Sequence, residues 1–269
     1  MGLRLCRSPE ETPNLRVFVP LWLYRTDVGL KPLCILHSAQ KRESLLRKLT
    51  FGFLASHTGT NLQTVVRAIQ TGQLRAVPGV VISNNADSGA LRFAKAEGIP
   101  WRHLSGRTYS QPDALDEAIL ATLNAHKVDV VLLLGYMKLL GPKTVAAYKG
   151  RALNIHPALL PKFGGKGMYG LRVHQAVLDA GEGTTGVTIH LVDELYDHGQ
   201  IIAQSLVPVE ANDTAETLAA RVLKEEHRFL IETLAKIIEG EIKLPGERGS
   251  GGADRGLGIG KAPIPNPRL

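Results

Sequence analysis

The chain has 269 residues, enough for one large domain or two small ones around a real core, and its 44% hydrophobic and 21% charged content is ordinary for a globular protein. No apolar run approaches the roughly 20 residues that cross a bilayer, so no membrane partner is expected. The formal charge of +7 hints at a polyanion until it is located: residues 1–48 carry nine Lys/Arg against four Asp/Glu, residues 245–269 carry four against two, and the stretch between them holds 19 of each sign. A body that binds nucleic acid needs a basic surface of its own, so no nucleic acid is expected either.

The two cysteines, Cys6 and Cys34, stand near the N-terminus, too far from the main body to staple it or hold a zinc ion there. A reducing, cytoplasmic setting is the natural expectation. Residues 1–47 form an unassigned N-terminal extension: the apolar run Val17–Tyr24 contains Pro20 and lacks the pattern of a cleaved leader.

The body begins near Lys48. Leu49–Ala55 reads as a buried strand of a parallel sheet, and it runs through Ser56-His57-Thr58-Gly59-Thr60-Asn61 into a helix whose Leu62, Val65, Val66 and Ile69 share one face. A strand, a polar turn with one glycine and a helix start offer free N–H groups and a positive dipole end, which suit a phosphate; an ordinary capped turn reads equally well. The alternation continues with a strand at Val77–Ile82, a helix at Gly89–Glu97, a strand at Ile99–Leu104 and a helix at Asp113–Ala125. Val128–Leu134 is the most apolar strand and is expected at the centre. Met137, Lys138, Leu139 and Leu140 follow it, and Pro142 opens a short helix. Such a βα series predicts an α/β fold with a doubly wound, mainly parallel sheet and a ligand crevice at the carboxyl ends of its strands.

The next strand, Ala152–Ile155, delivers Asn154 and His156 on one face, opposite Leu153 and Ile155, before Pro157 ends it. An amide and an imidazole side by side can hold a carbonyl oxygen as it gains negative charge. Phe163–Tyr169 and Gly170 hold four glycines in eight residues, a mobile loop beside the cleft. A helix at Leu171–Ala180 and a strand at Val187–Val192 follow, where His190 reads as a half-buried strand histidine. The acidic loop Asp193-Glu194-Leu195-Tyr196-Asp197-His198-Gly199 precedes a strand at Ile201–Val209. Either Asp193 or Asp197 could face His156 and raise its pKa; these neighbouring acids lack the recurring spacing of a metal site, and no metal is expected. Thr214 and Thr217 offer caps for a long helix whose expected buried side is Leu218, Val222, Leu223, Leu230, Leu234 and Ile237, and whose Glu225-Glu226-His227 reads as a solvated face. From Pro245 to the end, 11 of 25 residues are Gly or Pro, so 245–269 is expected to be a disordered tail.

Taken together, Asn154-Ile155-His156-Pro157-x-Leu159-Leu160-Pro161, Val192-Asp193-Glu194-x-x-Asp197-x-Gly199, Ala55-Ser56-x-x-Gly59-Thr60-Asn61-Leu62 and Arg221-Val222-x-x-x-Glu226-His227 resemble the formyltetrahydrofolate-dependent formyltransferases, and among them those that formylate phosphoribosylglycinamide in purine synthesis. The resemblance covers about residues 48–244, the expected formyltransferase domain. It implies 10-formyltetrahydrofolate as co-substrate and Asn154, His156 and Asp197 as the catalytic trio. It further implies Gly59, Thr60, Asn61 and Glu226 around the ribonucleotide, with Met137–Leu140, Asn154 and the loop Asp193, Glu194, Leu195, Tyr196 and Asp197 around the folate. Its partners are small molecules, and the assembly is a monomer or homodimer. Two places depart from the family: His57-Thr58 stands where relatives carry small residues, and the folate-contacting arginine has no clean match, its place falling near Pro112 with Arg107 as a candidate. The rival readings are a formyltetrahydrofolate deformylase, which uses water in place of the amine, and a non-enzymatic folate- or nucleotide-binding regulator on the same fold.

Overall fold

A computed structural model describes residues 48–246. The N-terminal extension and all but the first two residues of the expected tail lie outside them. Seven strands form one sheet in the order β3-β2-β1-β4-β5-β6-β7. They are β1 (Leu49–Leu54), β2 (Ala76–Ser83), β3 (Trp101–His103), β4 (Val130–Leu133), β5 (Ala152–His156), β6 (Thr184–Leu191) and β7 (Ile201–Pro208). The helices are α1 (Thr60–Gln70), α2 (Gly89–Ala96), α3 (Pro112–Ala125), α4 (Pro142–Ala147), α5 (Leu171–Asp179) and α6 (Ala215–Ile238). Strands β1 to β5 are parallel, whereas β6 runs antiparallel to both β5 and β7. The α/β, mainly parallel fold and the central place of β4 are as expected.

The two faces of the sheet fill separate cores, as strand alternation demands. Phe51 and Phe53 of β1, Val130 and Leu132 of β4, and Leu153 and Ile155 of β5 pack with α1, α2 and α6. Leu54, Val131 and Leu133 point the other way, against Ile119 and Leu123 of α3 and Val145 of α4. On that second face β1 has Gly52, because a Cβ there would stand 2.8 Å from Leu123 and 2.9 Å from Val128. Asn154 and His156 share the second face with Ala152.

The chain leaves β1 for β2 and β3 on one side and returns to β4 on the other, so the crevice opens between the ends of β1 and β4. Ser56 pins that point. Its N–H donates to the Gly135 carbonyl at 3.1 Å, its hydroxyl donates to Asn84 Oδ1 at 2.6 Å, and the same oxygen accepts the N–H of Met137 at 2.9 Å. One hydroxyl thereby joins the ends of β1, β2 and β4. The start of α6 is fixed separately: Thr214 and Thr217 form a capping box, and Arg221 clasps Asp213 through two hydrogen bonds of 2.6 and 2.8 Å.

Helix α4 has only six residues and cannot stand on its own hydrogen bonds. Its free N-terminal N–H groups are satisfied from outside by Asp116 of α3. That buried carboxylate accepts the N–H of Lys143 at 2.7 Å, the N–H of Thr144 at 3.1 Å and the Thr144 hydroxyl. Gly141 leaves the room, since a Cβ there would lie 2.2 Å from the Asp116 carboxyl carbon. Replacing Asp116 by alanine strands buried donors and should cost roughly 2–4 kcal/mol. A thermal melt of Asp116→Ala should show a Tm about 5–15 °C below the parent; a Tm within a degree or so of the parent would contradict this role.

Candidate functional site

Strand β5 sets the site because its partner is antiparallel. Asn154 lies directly across from His190 on β6, and His156 across from Thr188. The Asn154 Nδ2 atom stands 3.0 Å from His190 Nε2, while His190 Nδ1 donates to the Leu191 carbonyl at 2.8 Å. Nδ1 is thereby committed to that carbonyl, and Nε2 faces the amide, with Asp197 Oδ1 3.6 Å away. The second N–H of Asn154 reaches Asp197 Oδ1 at 3.3 Å. His190, expected to be an ordinary strand histidine, is instead the buried support of Asn154, and only the strand pairing reveals it.

His156 is likewise held at both ends. Its Nε2 donates to the Phe163 carbonyl at 2.8 Å, and its Nδ1 lies 3.5 Å from Asp197 Oδ2. The turn after it is braced by the buried Thr188, whose hydroxyl donates to the Ala158 carbonyl at 2.7 Å and accepts the Leu160 N–H at 3.1 Å. Asp197 is thus the aspartate that meets His156. Asp193 turns outward to His198, 2.8 Å away.

The electrostatics are opposed. Burial lowers the His156 pKa, and His190 lowers it further; the Asp197 charge and the Phe163 carbonyl raise it, but the net direction is down. The expected upward push from an aspartate is present and is outweighed by desolvation. Burial pushes the Asp197 carboxyl up, yet His190, the His156 charge and the N–H of Gly165, which donates at 2.9 Å, prevail and hold it below its usual range. Asp197 also takes a left-handed backbone (φ 53°), as does Phe163 (φ 56°), so the segments on both sides of His156 are locally strained.

These groups open on a cleft of about 630 Å³ whose lining includes Asn61, Met137, Asn154, His156, Tyr196 and Asp197, the loop residues Gly165–Arg172, and Leu223 and Glu226 of α6. Leu223, expected in the core, is 36% exposed, because the buried stripe of α6 gives way here to a cleft-facing one. Glu226, expected on a solvated face unless the resemblance held, is buried. It accepts a hydrogen bond from Asn61 Nδ2 at 2.8 Å, and burial pushes its pKa from an ordinary 4.5 to about 7 despite that bond. Asn61 Oδ1 has no partner among the described residues. Gly59 caps α1 in a left-handed conformation (φ 73°), packed so closely that a Cβ would lie 2.9 Å from Ala90. Gly59 and Thr60 stand behind Asn61 and do not reach the lining, nor do the exposed His57 and Thr58.

Tyr136 is shared with an adjoining cavity of about 850 Å³, lined by Lys138, Leu139 and Leu140 together with Arg107, Pro112 and Asn84. The Met137–Leu140 segment therefore divides, Met137 into the first space and the other three into the second. Arg107, the candidate for the folate-contacting arginine, lines the same cavity as Lys138. Of the acidic loop, only Tyr196 and Asp197 reach the cleft; Leu195 is 60% exposed, and Asp193 and Glu194 do not line it.

Residues 50–234 match the Formyl transferase family. The chain belongs to that family. Within it, this formyl transferase is 42% identical over 238 residues to the chloroplastic phosphoribosylglycinamide formyltransferase of Arabidopsis thaliana, covering 88% of this chain and 80% of that protein. It is also 42% identical to the corresponding Vigna unguiculata protein, of which it spans 66%, and 37% identical to the phosphoribosylglycinamide formyltransferase of Haemophilus influenzae, of which it spans 88%. Among solved structures, the phosphoribosylglycinamide formyltransferase of Brucella melitensis superimposes with a TM-score of 0.66 at 42% identity, over 74% of this chain and all of that one. Among the described residues, no helix of this formyl transferase is long and apolar enough to cross a membrane.

The buried Glu226 has a measurable cost. Its folded pKa of about 7 exceeds its unfolded value, so the folded state holds an extra proton between about pH 4.5 and 7, and stability falls as pH rises through that window. The loss is on the order of 3 kcal/mol. Glu226→Gln should therefore raise the Tm at pH 8 by several degrees and change it little at pH 4.5. Equal effects at both pH values would show that the carboxyl is not ionising in its buried place.

Proposed function

We propose that this chain transfers the formyl group of 10-formyltetrahydrofolate to the amine of 5-phosphoribosylglycinamide in purine synthesis. The observation that carries the reading is the buried Asn154–His156–Asp197 cluster, at hydrogen-bond or near hydrogen-bond distance, in a chain whose relatives bear that activity in their names. In this reading the ribonucleotide lies toward Asn61 and Glu226, on the Gly59–Asn61 turn. The folate lies along Met137–Leu140 and the Asp193–Asp197 loop. Residues 48–246 are the formyltransferase domain, and a reducing compartment, whether cytoplasm or the chloroplast of the plant relatives' names, suits the two cysteines.

The uncharged amine attacks the formyl carbon; the carbon–oxygen double bond becomes a single bond, and negative charge gathers on oxygen. The oxygen's electron pair then restores the carbon–oxygen double bond as the carbon–N10 bond breaks, N10 gains a proton, and the amine nitrogen loses one. Asn154 and His156 are the donors for that oxygen, each worth about 3–4 kcal/mol in such a place. Both already have partners within the chain. Asn154 donates to His190 and, over a longer 3.3 Å, to Asp197; His156 donates to the Phe163 carbonyl. The formyl oxygen takes the place of Asp197 Oδ1 and the Phe163 carbonyl, so the loop after Pro161 shifts as substrate enters. Asp197 stays ionised beside His156, stabilises its imidazolium and helps move the amine's proton, through water where they do not touch.

With purified protein and 10-formyltetrahydrofolate, folate release should require the ribonucleotide amine. Release without it means a deformylase, and no release with either points to a binding protein. His156→Ala should lower kcat by about 10²–10⁴-fold while folate binding persists; near-normal turnover excludes the donor role. Asp197→Asn removes the charge that lifts His156, so the pH limb reporting the imidazolium should move to lower pH and activity should fail earlier as pH rises. An unshifted limb separates Asp197 from His156.

A further inference from the structure

A phosphomonoester entering beside Asn61 carries up to two negative charges, yet the Gly59–Asn61 turn has no cationic side chain to meet them. The cleft walls already contain the carboxyl groups of Asp197 and Glu226. Among the described residues, the only lysine and arginine in the lining are Lys166, in the glycine-rich segment, and Arg172, in the first turn of α5. Both are exposed, and neither belongs to an ion pair among the described residues. Arg172 lies over the Tyr169 ring, 5.2 Å from its centroid, a contact made through the face of the guanidinium that does not use its N–H groups. Two residues on, His174 is 4% exposed in the wall of the same cleft, and among the described residues its Nδ1 has no hydrogen-bond partner. A buried polar atom without a partner is uncommon and marks where a ligand atom completes the structure.

We propose that Lys166 and Arg172 form a cationic clamp for the phosphate of the ribonucleotide substrate, with His174 bonding the same ligand from the cleft wall. The proposal rests on the formyl-transfer reading above. Its segment is fastened to the reacting groups: the Phe163 carbonyl takes the His156 proton donor, and the Gly165 N–H holds Asp197. Capturing the phosphate therefore sets the segment that must release His156, so binding energy from a part of the substrate that does not react is used where the chemistry occurs. Gly165 and Gly167, with φ of 97° and 92°, give the backbone on either side of Lys166 conformations that side chains rarely adopt.

The test uses the full chain with Lys166→Ala, Arg172→Ala and the double variant, each checked for an unchanged melt and circular dichroism spectrum. The KM for phosphoribosylglycinamide should rise about ten-fold in each single variant and about a hundred-fold in the double, as expected for lost charge-assisted hydrogen bonds. The KM for 10-formyltetrahydrofolate should hold, and the salt dependence of kcat/KM should flatten. With the phosphate-free glycinamide riboside, parent and variants should perform alike. Calorimetry with ribose 5-phosphate reads the clamp without turnover, and affinity there should fall by the same factors. A parent that binds ribose 5-phosphate but formylates no ribonucleotide overturns the amine reading and leaves the clamp; a parent that does not bind it overturns the clamp. A rise confined to the folate KM, graded with the number of glutamates, gives these cations to the folate carboxylates and overturns the proposal. So does a fall in kcat alone, or no change in any constant.

Discussion

The Asp197 carboxylate is the constraint on which the rest of the site depends. It lies against one amide, two imidazoles and one backbone N–H, drawn from β5, β6 and the glycine-rich segment. Each contact offsets part of the desolvation that would otherwise neutralise it, and together they keep it ionised. A buried carboxylate so surrounded then acts on its neighbours. It draws the pKa of His156 upward against burial, orients the Asn154 amide, and ties down the segment carrying Lys166. Removing it would leave three elements without a shared partner.

The reacting donors of the site, Asn154 and His156, are held by partners within the chain, and this shapes the energetics of entry. A donor left free in a buried cleft costs free energy in the resting protein, whereas a donor held by a weak partner costs little and can be exchanged. The 3.3 Å bond from Asn154 to Asp197 fits that second arrangement. The bond from Asn154 to His190, at 3.0 Å and backed by the Leu191 carbonyl, fits the permanent one. One half of the amide is thereby a fixed pivot and the other half is available for exchange. At the far side of the crevice, Ser56 performs the structural counterpart, holding Met137 at the junction of β1, β2 and β4 without itself entering the lining.

Local periodicity carried the fold well. Each expected strand and helix exists, with ends displaced by a few residues, because alternation and helical spacing are properties of the segment itself. What depends on pairing was not legible. His190 looks like any strand histidine until β6 is known to lie antiparallel beside β5, which puts it opposite Asn154. Leu223 and Glu226 break the pattern of α6 in opposite senses, an apolar residue outside and an acid inside, because that helix borders a cleft along part of its length. Residue chemistry alone assigned Glu226 to solvent; the family likeness grouped it with Asn61 around the substrate, and in the fold the two share a hydrogen bond that no spacing rule supplies. The choice between Asp193 and Asp197 was open for the same reason, since both are acids on one loop and only the folded turn sends one inward.

That turn shows where the general rule for such sheets is incomplete here. Ligand crevices of parallel α/β sheets are built from loops at the carboxyl ends of the strands, and Ser56, Met137 and His156 obey this. Asp197 does not. Because β6 is antiparallel to β5, the loop after it departs beside the start of β5, where the Val192 N–H meets the Ala152 carbonyl at 2.9 Å. To reach Asn154 and His156 the loop must double back across the face of the sheet. The left-handed backbone at Asp197 and the close packing at Gly199, where a Cβ would fall 1.8 Å from the Leu191 carbonyl oxygen, are the local means of that reversal. The antiparallel end of the sheet is therefore more than an edge. It lets a single hairpin loop supply an acid from one direction to an amide and an imidazole presented from the other, and so closes the cluster from both ends of β5.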